Sequence, residues 1–401
     1  MRMSRASLLS LTLACPLALA PAAYAAAPAQ AAPAGSLTPA VREAPLPSPL
    51  PALVPVQING PEASRIDLLF VGDGYTKAEL PKFHQDVLKQ WAAMTALEPY
   101  RTYQKFFNVW ELDLASPDSG VTNDPTMGVA KNTVLNMHYW CHGIERLLCV
   151  DDSRSAALEK QLPNADVIFA IANSTLYGGA GGPVITVAGS NVQSDQITPH
   201  EAAHTIGKLA DEYGGYGAAT DVSEPDAPNV TTETAAQMAA AKNKWWRWLG
   251  ATSPDGSKID AYPGGNYYDS GYYRPSLDSN MRTLGQPFNQ PSAEALIENF
   301  YNTVTPIDSS NPDQTIYLGR KSKVTISTPQ LVGHDFQIYW AVNGTSISQG
   351  YGSRTLDLST VSVPKGKATL TAVVRDTTDA VRDEDYRNSK MTKTYTWQIK
   401  P

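Results

Sequence analysis

The chain of 401 residues contains only three cysteines and six histidines, and it has no excess of positive charge. So few cysteines exclude a small disulfide-rich scaffold. The formal net charge of −7 argues against nucleic acid as a partner, because proteins that bind it need basic patches. Long hydrophobic runs are also missing. The one candidate for a membrane span is a short apolar stretch near the N-terminus.

That stretch has the composition of an export signal. Two arginines precede an apolar run over 6–20, and Ala23-Tyr24-Ala25 fits a cleavage site of the A-x-A type. We expect 1–25 to be a signal peptide and 26–55 to be an Ala- and Pro-rich linker. The mature protein is then secreted, either extracellular or periplasmic, without stable membrane insertion.

Two cysteines, Cys141 and Cys149, follow the signal. In an oxidising compartment such a pair most simply forms one disulfide that closes a small loop. A metal site formed by both cysteines with His138 and His142 is the alternative that the spacing leaves open. The first cysteine, Cys15, is compatible with cleavage as a lipoprotein, although the residues before it fit that signal poorly.

The segment with the most chemical content is His200-Glu201-Ala202-Ala203-His204. On a helix, residues four apart share one face, so both imidazoles can reach one metal ion. Glu201 is offset around the helix and can take a proton from water without binding the metal. We therefore predict two metal ligands and a general base, the arrangement of a metallopeptidase. The alternative is a solvated helix with two ordinary histidines.

The neighbouring residues predict how the chain brings a third ligand to the metal. Thr198 fits the N-cap of the helix, and Gly207 can end the helix and turn the chain back. Asp211 then approaches as the third ligand. Glu212 and Glu224 are the alternatives, but the prolines after Glu224 disfavour the helix that a distal ligand of that kind needs.

The chain resembles the IgA-peptidase family of zinc metallopeptidases, which is related to the metzincins. The resemblance covers about residues 65 to 290 and rests on segments that occur in the same order. These are Leu69-Phe70-Val71-Gly72-Asp73-Gly74-Tyr75-Thr76, Phe107-Asn108-Val109-Trp110-Glu111-Leu112-Asp113, Ser116-Pro117-Asp118-Ser119-Gly120-Val121, the cysteine pair around Gly143-Ile144-Glu145-Arg146-Leu147-Leu148, the stretch from His200 to Tyr213, Glu224-Pro225-Asp226-Ala227-Pro228-Asn229-Val230-Thr231, Tyr273-Arg274-Pro275-Ser276 and Ser279-Asn280-Met281-Arg282.

The resemblance implies that His200, His204 and Asp211 hold one zinc ion. The usual metzincin arrangement places the third ligand three residues after the glycine, where this chain has Ala210; the later carboxylate looks like the IgA-peptidase pattern. The resemblance also implies that the cysteine pair is a bridge. It further implies that Met281 lies in a tight turn beneath the metal, whereas from the residues alone a core methionine is equally expected.

Alternating helical and strand patterns predict an α/β (α+β) domain over 56–305 with a mixed sheet and a zinc-binding helix. The resemblance implies that this domain is metzincin-like. After Pro306 the pattern becomes short alternating strands with an Asn343-Gly344 hairpin signal, which predicts an all-β immunoglobulin-like sandwich over 306–401 as an accessory domain. The predicted strands are 65–71, 106–115, 165–172, Val184–Ala188, 315–318, Lys323–Ser327, 336–342, 355–358, 368–374 and 393–399; the predicted helices are 76–97, 156–162, 232–249 and 291–303, with a long loop over 255–274.

Four residues are our candidates for a substrate-binding edge strand: Val184, Ile185, Thr186 and Val187. Metzincins align the substrate backbone against such an edge, and strand addition reads backbone more than side chain. A glycine-rich loop over 178–183 precedes this strand. The loop has no phosphate-binding pattern.

Three further groups are secondary candidates. The tryptophans in Lys244-Trp245-Trp246-Arg247-Trp248 favour core packing over a carbohydrate platform. Hydroxyls of Tyr213, Tyr272 or Tyr273 are candidates for stabilising an oxyanion. The acidic residues Asp221, Glu224 and Asp226 are candidates for a structural calcium site, although such loop residues are usually solvated.

Taken together, the residues predict a secreted zinc endopeptidase that acts on protein or peptide substrates. The alternative is a non-catalytic secreted module that binds protein or glycan on a metallopeptidase scaffold. The intact Glu201 disfavours that alternative, because a binding module has no use for a base between two ligands.

Overall fold

The computed structural model describes residues 44–400, so the predicted signal peptide, Cys15 and most of the linker lie outside the described residues. In chain order the helices and strands are β1 (Val54–Gln57), β2 (Ile66–Asp73), α1 (Leu80–Thr95), β3 (Phe107–Leu112), α2 (Asp152–Gln161), β4 (Val167–Ala172), β5 (Gly179–Ala180), β6 (Val184–Ala188), α3 (Ile197–Gly207), α4 (Ala235–Ala241), β7 (Tyr262–Gly265), β8 (Tyr268–Arg274), α5 (Gln290–Thr303), β9 (Ser309–Asn311), β10 (Lys323–Ser327), β11 (Gln337–Val342), β12 (Thr345–Ile347), β13 (Thr355–Asp357), β14 (Ala368–Arg375), α6 (Glu384–Ser389) and β15 (Thr392–Ile399).

A six-stranded mixed sheet forms the centre of the first part of the chain, in the order β1-β3-β2-β4-β6-β5. Strands β3, β2, β4 and β6 are parallel, and the two outer strands pair antiparallel. Every residue of β2 and β4 is buried, as expected for parallel strands covered on both faces. The continuous apolar sequence of β4 had predicted this burial.

Helix α3 packs against both α1 and α5. The apolar residues of α1 that recur at helical spacing are buried, as predicted: Phe83, Val87, Trp91 and Met94. Close packing also explains the glycine at the end of α3, since a Cβ on Gly207 would lie 2.9 Å from a side-chain carbon of Leu296 on α5. The sheet and α5 thereby fix α3 from two sides.

Two antiparallel sheets follow, in the orders β13-β10-β9 and β12-β11-β14-β15. The Asn343-Gly344 hairpin is confirmed, with φ of 48° and 79° at these residues. The predicted strand over 315–318 is wrong. Thr315 lies in a turn and Ile316 in a bend, and Leu318 makes one isolated bridge to Ile399, while the strand of this region is β9.

Two predicted elements between the sheets have different extents. The helix expected over 232–249 is α4 alone, because Lys242 adopts the left-handed conformation at φ 55° and ends it; a 3-10 turn follows at Trp246–Trp248. The loop expected over 255–274 contains the β7–β8 hairpin. Its turn is formed by residues with positive φ, among them Asn266 at 49° and Tyr267 at 71°.

The first part of the chain and the later sheets share one hydrophobic core rather than two separate ones. Polar contacts accompany that packing. Arg65 and Asp308 form a buried ion pair at 2.8 Å. The fully buried Asp376 accepts hydrogen bonds from the hydroxyls of Tyr103 and Tyr301, each at 2.7 Å.

Over residues 44–400, no helix is both long enough and apolar enough to cross a bilayer.

Candidate metal centre

Three ligand atoms converge at the end of α3. The Nε2 atoms of His200 and His204 are 3.2 Å apart, and Oδ1 of Asp211 lies 3.1 Å from the first and 3.3 Å from the second. His200 and Asp211 are buried, and His204 is half-buried. The structure therefore brings together the three residues that the sequence predicts as metal ligands.

The orientation of the two imidazoles is set by the backbone. Nδ1 of His200 lies 3.0 Å from the carbonyl oxygen of Asn280, and Nδ1 of His204 lies 2.7 Å from that of Leu209. Because a carbonyl only accepts, each Nδ1 carries the hydrogen, and each neutral ring presents the lone pair of Nε2 to its neighbours.

Those lone pairs face a carboxylate oxygen that also receives no hydrogen bond in the described part of the chain. Oδ1 of Asp211 is buried and accepts no hydrogen bond among the described residues. Three acceptors in contact repel one another unless a cation or protons lie between them. Two imidazole nitrogens and one carboxylate oxygen are ligands that suit Zn²⁺, so the residues fit a metal ion.

Without a metal ion, the same contacts favour protonated imidazoles. Burial lowers the pKa of His204, but hydrogen bonding to Asp211 and the charges of Asp211 and Glu201 outweigh burial and raise that pKa to about 9. The pKa of His200 is raised by the same groups against its burial. Burial alone would raise the pKa of Asp211, yet its bonds to both histidines hold that pKa well below its usual range. The arrangement thus stabilises positive charge placed between the two imidazoles and Asp211.

Asp211 reaches the histidines because the chain reverses directly after α3. The helix ends at Gly207, as predicted, although the left-handed residue is Lys208 at φ 55°. Both the amide and the carbonyl of Ala210 are hydrogen-bonded by the Asn229 side chain at 2.8 Å. On the other side, the Glu212 amide donates to the carbonyl of Met281 at 2.8 Å. Asp211 is therefore held between two anchored neighbours.

The start of α3 differs from the sequence prediction. Thr198 is not the N-cap, because the 3-10 turn at Ser194–Gln196 runs directly into the helix, whose cap is Gln196. The Thr198 hydroxyl instead hydrogen-bonds to Oε1 of Gln90 on α1, at 2.5 Å. This bond ties the metal helix to α1.

The first alternative to Asp211 is occupied elsewhere. Glu212 is completely buried, and its carboxylate accepts hydrogen bonds from Asn229, Ser279 and Asn289 at 2.7 to 3.1 Å. Burial raises the pKa of Glu212 against these hydrogen bonds. Its role in the fold is to connect the chain beside Asp211 with the segment before Met281 and the start of α5.

The second alternative, Glu224, is also occupied. Its carboxylate pairs with the ammonium of Lys244 at 2.8 Å and accepts from the amide and hydroxyl of Thr232. The same ammonium donates to the carbonyl oxygens of Pro225, Ala227 and Val230. Lys244 is therefore the cation that pairs with Glu224 in this loop, where the sequence suggested a calcium site with Asp221 and Asp226. These three residues form no metal-binding group among the described residues.

Glu201 lies beside the histidines without joining them. It is half-buried, and no hydrogen bond or ion pair holds its carboxylate within residues 44–400. A Cβ added to Gly181 would lie 2.5 Å from Oε2 of Glu201, so the carboxylate rests directly against the backbone that follows β5. A carboxylate in this position is free to exchange protons with a water molecule near the metal ligands.

Met281 is buried completely and belongs to the main hydrophobic core. The turn that carries it supplies two backbone contacts to the site, the Asn280 carbonyl to His200 and its own carbonyl to Glu212. The Met281 side chain packs in the core. The turn around it orients His200 and holds Glu212, the residue next to Asp211.

Two tyrosines lie close to Asp211, one predicted and one not. Burial raises the pKa of Tyr213 and of Tyr267, and hydrogen bonding to Asp211 and the charge of Asp211 raise both further. Their rings are 5.4 Å apart. The glycines before Asn266 could have indicated the hairpin that carries Tyr267. Tyr272 and Tyr273 lie along β8, and neither contacts the three ligands among the described residues.

The sheet edge next to the site is not where the sequence placed it. Val184, Ile185, Thr186 and Val187 form β6 as predicted, but β5 pairs on its outer side, joining Gly179 to Val187 and Ala180 to Thr186. The edge is therefore the two-residue strand β5. The glycine-rich segment that looked like a loop contributes this strand.

Cys141 and Cys149 form a disulfide, which uses both sulfur atoms and so removes the alternative metal site with His138 and His142. The tryptophans near Arg247 pack as predicted, since Trp245 and Trp248 are buried in a cluster with Met238 and Ile259.

Comparison with known proteins shows the family of the chain. None of the curated proteins matches it. The model of the family described as IgA Peptidase M64 matches residues 54–255, about half of the chain, and this range includes the disulfide, the metal helix and Asp211. The protein belongs to the IgA peptidase M64 family and is a metallopeptidase, a hydrolase that acts on protein substrates.

Proposed function

We propose that the protein is an exported zinc endopeptidase in which His200, His204 and Asp211 hold the metal ion and Glu201 is the general base. One observation carries the proposal. The Nε2 lone pairs of His200 and His204 converge on Oδ1 of Asp211, which accepts no hydrogen bond among the described residues, and the unpaired Glu201 lies beside them. Two nitrogen ligands and one oxygen ligand favour Zn²⁺ and leave a position open for water and substrate.

A zinc ion held there would supply a Lewis acid for the scissile carbonyl and make a neighbouring water more acidic. The residues of the chain do the rest. Glu201 takes the proton from the attacking water and returns a proton to the leaving amine. Asn280 and Leu209 keep the imidazoles in the tautomer that presents Nε2. We infer that Tyr213 and Tyr267, which lie close to Asp211, donate to the oxyanion.

We further infer that the substrate backbone aligns beside β5 and that the Met281 turn supports the residues that would hold the metal. Strand addition at an exposed sheet edge is a common way to bind an extended peptide. The edge is short and glycine-rich, and it continues into Gly181, which touches Glu201. An extended peptide on this edge passes the base.

The finer classification of the fold is also a proposal. The mixed sheet, the metal helix and the turn with Met281 favour a metzincin-like catalytic unit up to about residue 305. The two antiparallel sheets after it favour an immunoglobulin-like accessory unit over 306–401. The disulfide indicates an oxidising compartment, and with the N-terminal pattern it supports export.

The decisive experiment compares the wild type with Glu201→Gln. Metal content is measured on both purified proteins, and peptide cleavage is measured with casein and with a proteome-derived peptide library. We expect one zinc per chain in both proteins and a loss of activity of about 10² to 10⁴-fold in the variant. Chelation should abolish wild-type cleavage, and zinc should restore it.

A matched control is Glu62→Gln, an exposed glutamate away from the ligands, which should leave activity unchanged. Full activity of Glu201→Gln would refute the proposed base. Metal-free wild type that still cleaves casein would refute the metal site. Zinc binding with no cleavage of any library peptide by the wild type would instead favour a binding module.

A further inference from the structure

A cavity of about 440 Å³ opens between the disulfide loop and the segment that leads into β5. On one side its wall is formed by Tyr139, Trp140, Ile144 and Arg146, and on the other by Leu176 and Tyr177. None of these residues belongs to the metal centre, and the catalytic steps above make no use of the cavity.

The cavity lies close to the catalytic base. Tyr177 is four residues before Gly181, whose Cα faces the Glu201 carboxylate. Four extended residues span at most about 14 Å. Burial raises the pKa of Tyr177, the nearby Arg146 guanidinium lowers it, and the Glu201 carboxylate raises it, so both charges act on this ring. A peptide lying along β5 would pass the cavity within about four residues of its scissile bond.

The wall is built rigidly. The disulfide closes the loop, and the Tyr139 hydroxyl hydrogen-bonds to the Ser174 hydroxyl at 2.9 Å and to the Leu176 carbonyl at 3.0 Å. The amide of Gly179 on β5 donates to the carbonyl of Arg146 at 3.3 Å. The backbone of Arg146 therefore joins the disulfide loop to the sheet edge, and the side chain of the same residue lines the cavity.

The lining combines apolar surface with one available positive charge. Tyr139, Trp140, Ile144 and Leu176 supply aromatic and aliphatic walls. Arg146 is half-buried, and its guanidinium has no hydrogen bond or ion pair within residues 44–400. A half-buried arginine without a partner attracts an anion with an apolar stem. The neighbouring Glu145 is exposed and stands at the rim.

We propose that this cavity is a substrate side-chain subsite and that Arg146 selects an acidic residue, most favourably glutamate, at one position near the cleaved bond. The proposal rests on the proposed peptidase function. The methylenes of a glutamate side chain would pack against the aromatic wall while its carboxylate pairs with the guanidinium.

The test is a cleavage profile of the full chain with a proteome-derived peptide library, followed by kcat/KM on three peptides that carry Glu, Gln or Lys at the selected position. For the wild type we expect acidic residues to be enriched at one position within four residues of the bond, and the Glu-to-Lys ratio of kcat/KM to exceed about tenfold. The preference should weaken as salt concentration rises.

The variant Arg146→Glu should reverse that ratio, and Arg146→Met should abolish it. The matched control is Lys160→Glu on the exposed face of α2, outside the cavity, which should keep the wild-type ratio. A profile without acidic preference, or an Arg146→Glu variant that slows all three peptides equally, would overturn the subsite. Glu201→Gln in the same assay separates the two proposals. If this variant loses cleavage, a missing acidic preference contradicts the subsite alone. If this variant stays active, the proposed peptidase mechanism itself fails.

Discussion

At the scale of single residues, replacing Gly181 with alanine tests whether the position of the Glu201 carboxylate matters for catalysis. Its φ is not in the left-handed region, so alanine is compatible with the backbone, but a Cβ would lie 2.5 Å from Oε2 of Glu201. The carboxylate must move, because it is the flexible partner. We expect Gly181→Ala to lower kcat/KM by roughly 10 to 100-fold while the metal content and the thermal midpoint of unfolding stay as in the wild type.

The matched control is Gly319→Ala, where the added Cβ would meet only the Ser322 hydroxyl at 3.6 Å, an ordinary contact. Its activity should equal that of the wild type. Wild-type kinetics for Gly181→Ala would show that the position of the Glu201 carboxylate is not critical for proton transfer.

The residues with the main chemistry could be predicted from the sequence, and the residues that orient them could not. The spacing of His200 and His204 on a helix is a local property, so it is visible in the sequence. The carbonyls of Asn280 and Leu209 that fix the tautomers are backbone groups, and backbone groups carry no sequence signal. Asp211 was found because it follows the helix closely, whereas Tyr267 comes from a hairpin more than fifty residues away.

At the scale of elements, the disulfide loop should matter for stability and for selectivity. The two cysteines are separated by eight positions, and closing so short a loop contributes about 2 to 3 kcal/mol to the free energy of unfolding. We expect the double variant Cys141→Ser, Cys149→Ser to lose that amount in denaturant unfolding. If the loop forms the proposed subsite, the preference for acidic residues should also weaken.

Helix α5 carries a pH-dependent contribution at Glu298. Burial raises the pKa of this carboxyl to about 7, helped by the charges of Glu294 and Asp383. Because the folded pKa lies above the usual 4.5, the neutral form is favoured by folding. The resulting stability is present at low pH and is lost as the pH rises through about 7.

The neutral variant Glu298→Gln should therefore unfold at a higher temperature than the wild type at pH 8.5 and at nearly the same temperature at pH 4.5. Thermal unfolding at both pH values measures this difference. Glu159→Gln, an exposed glutamate of α2, should show no such pH dependence relative to the wild type. An equal difference at the two pH values would contradict the assignment to Glu298.

Sequence patterns predicted the elements whose apolar residues form a continuous run or recur at helical spacing, and failed where tertiary contacts decide. Helices α1 and α5 follow the helical spacing of their apolar residues, and strands β2, β4 and β6 follow from continuous apolar runs. Strand β5 has only two residues, glycine and alanine, and exists because β6 pairs with it. Helix α4 ends early because Lys242 turns left-handed and Lys244 binds the Glu224 loop, an interaction between distant residues.

At the scale of the whole molecule, the later antiparallel sheets are joined closely to the part with the metal centre. The boundary near residue 305 marks a change in pattern, yet the hydrophobic core continues across it. The Arg65–Asp308 pair and the tyrosine contacts of Asp376 connect both sides. We therefore expect the chain to unfold in one cooperative transition, and an accessory role does not require independent folding.

Asp376 is the most sensitive point of this connection. Its carboxylate is fully buried and accepts hydrogen bonds from Tyr103 and Tyr301 on one side and contacts Nε2 of His334, at 3.1 Å, on the other. Asp376→Ala leaves two buried hydroxyls without an acceptor, so we expect a loss of about 3 to 5 kcal/mol in the free energy of unfolding. Tyr103→Phe removes a single donor and should cost only about 1 kcal/mol. Calorimetry checks both values and the single transition. A second transition in Asp376→Ala, with the metal-binding part still folded and active, would show instead that the two parts are independent and that the shared core contributes little to the metal centre.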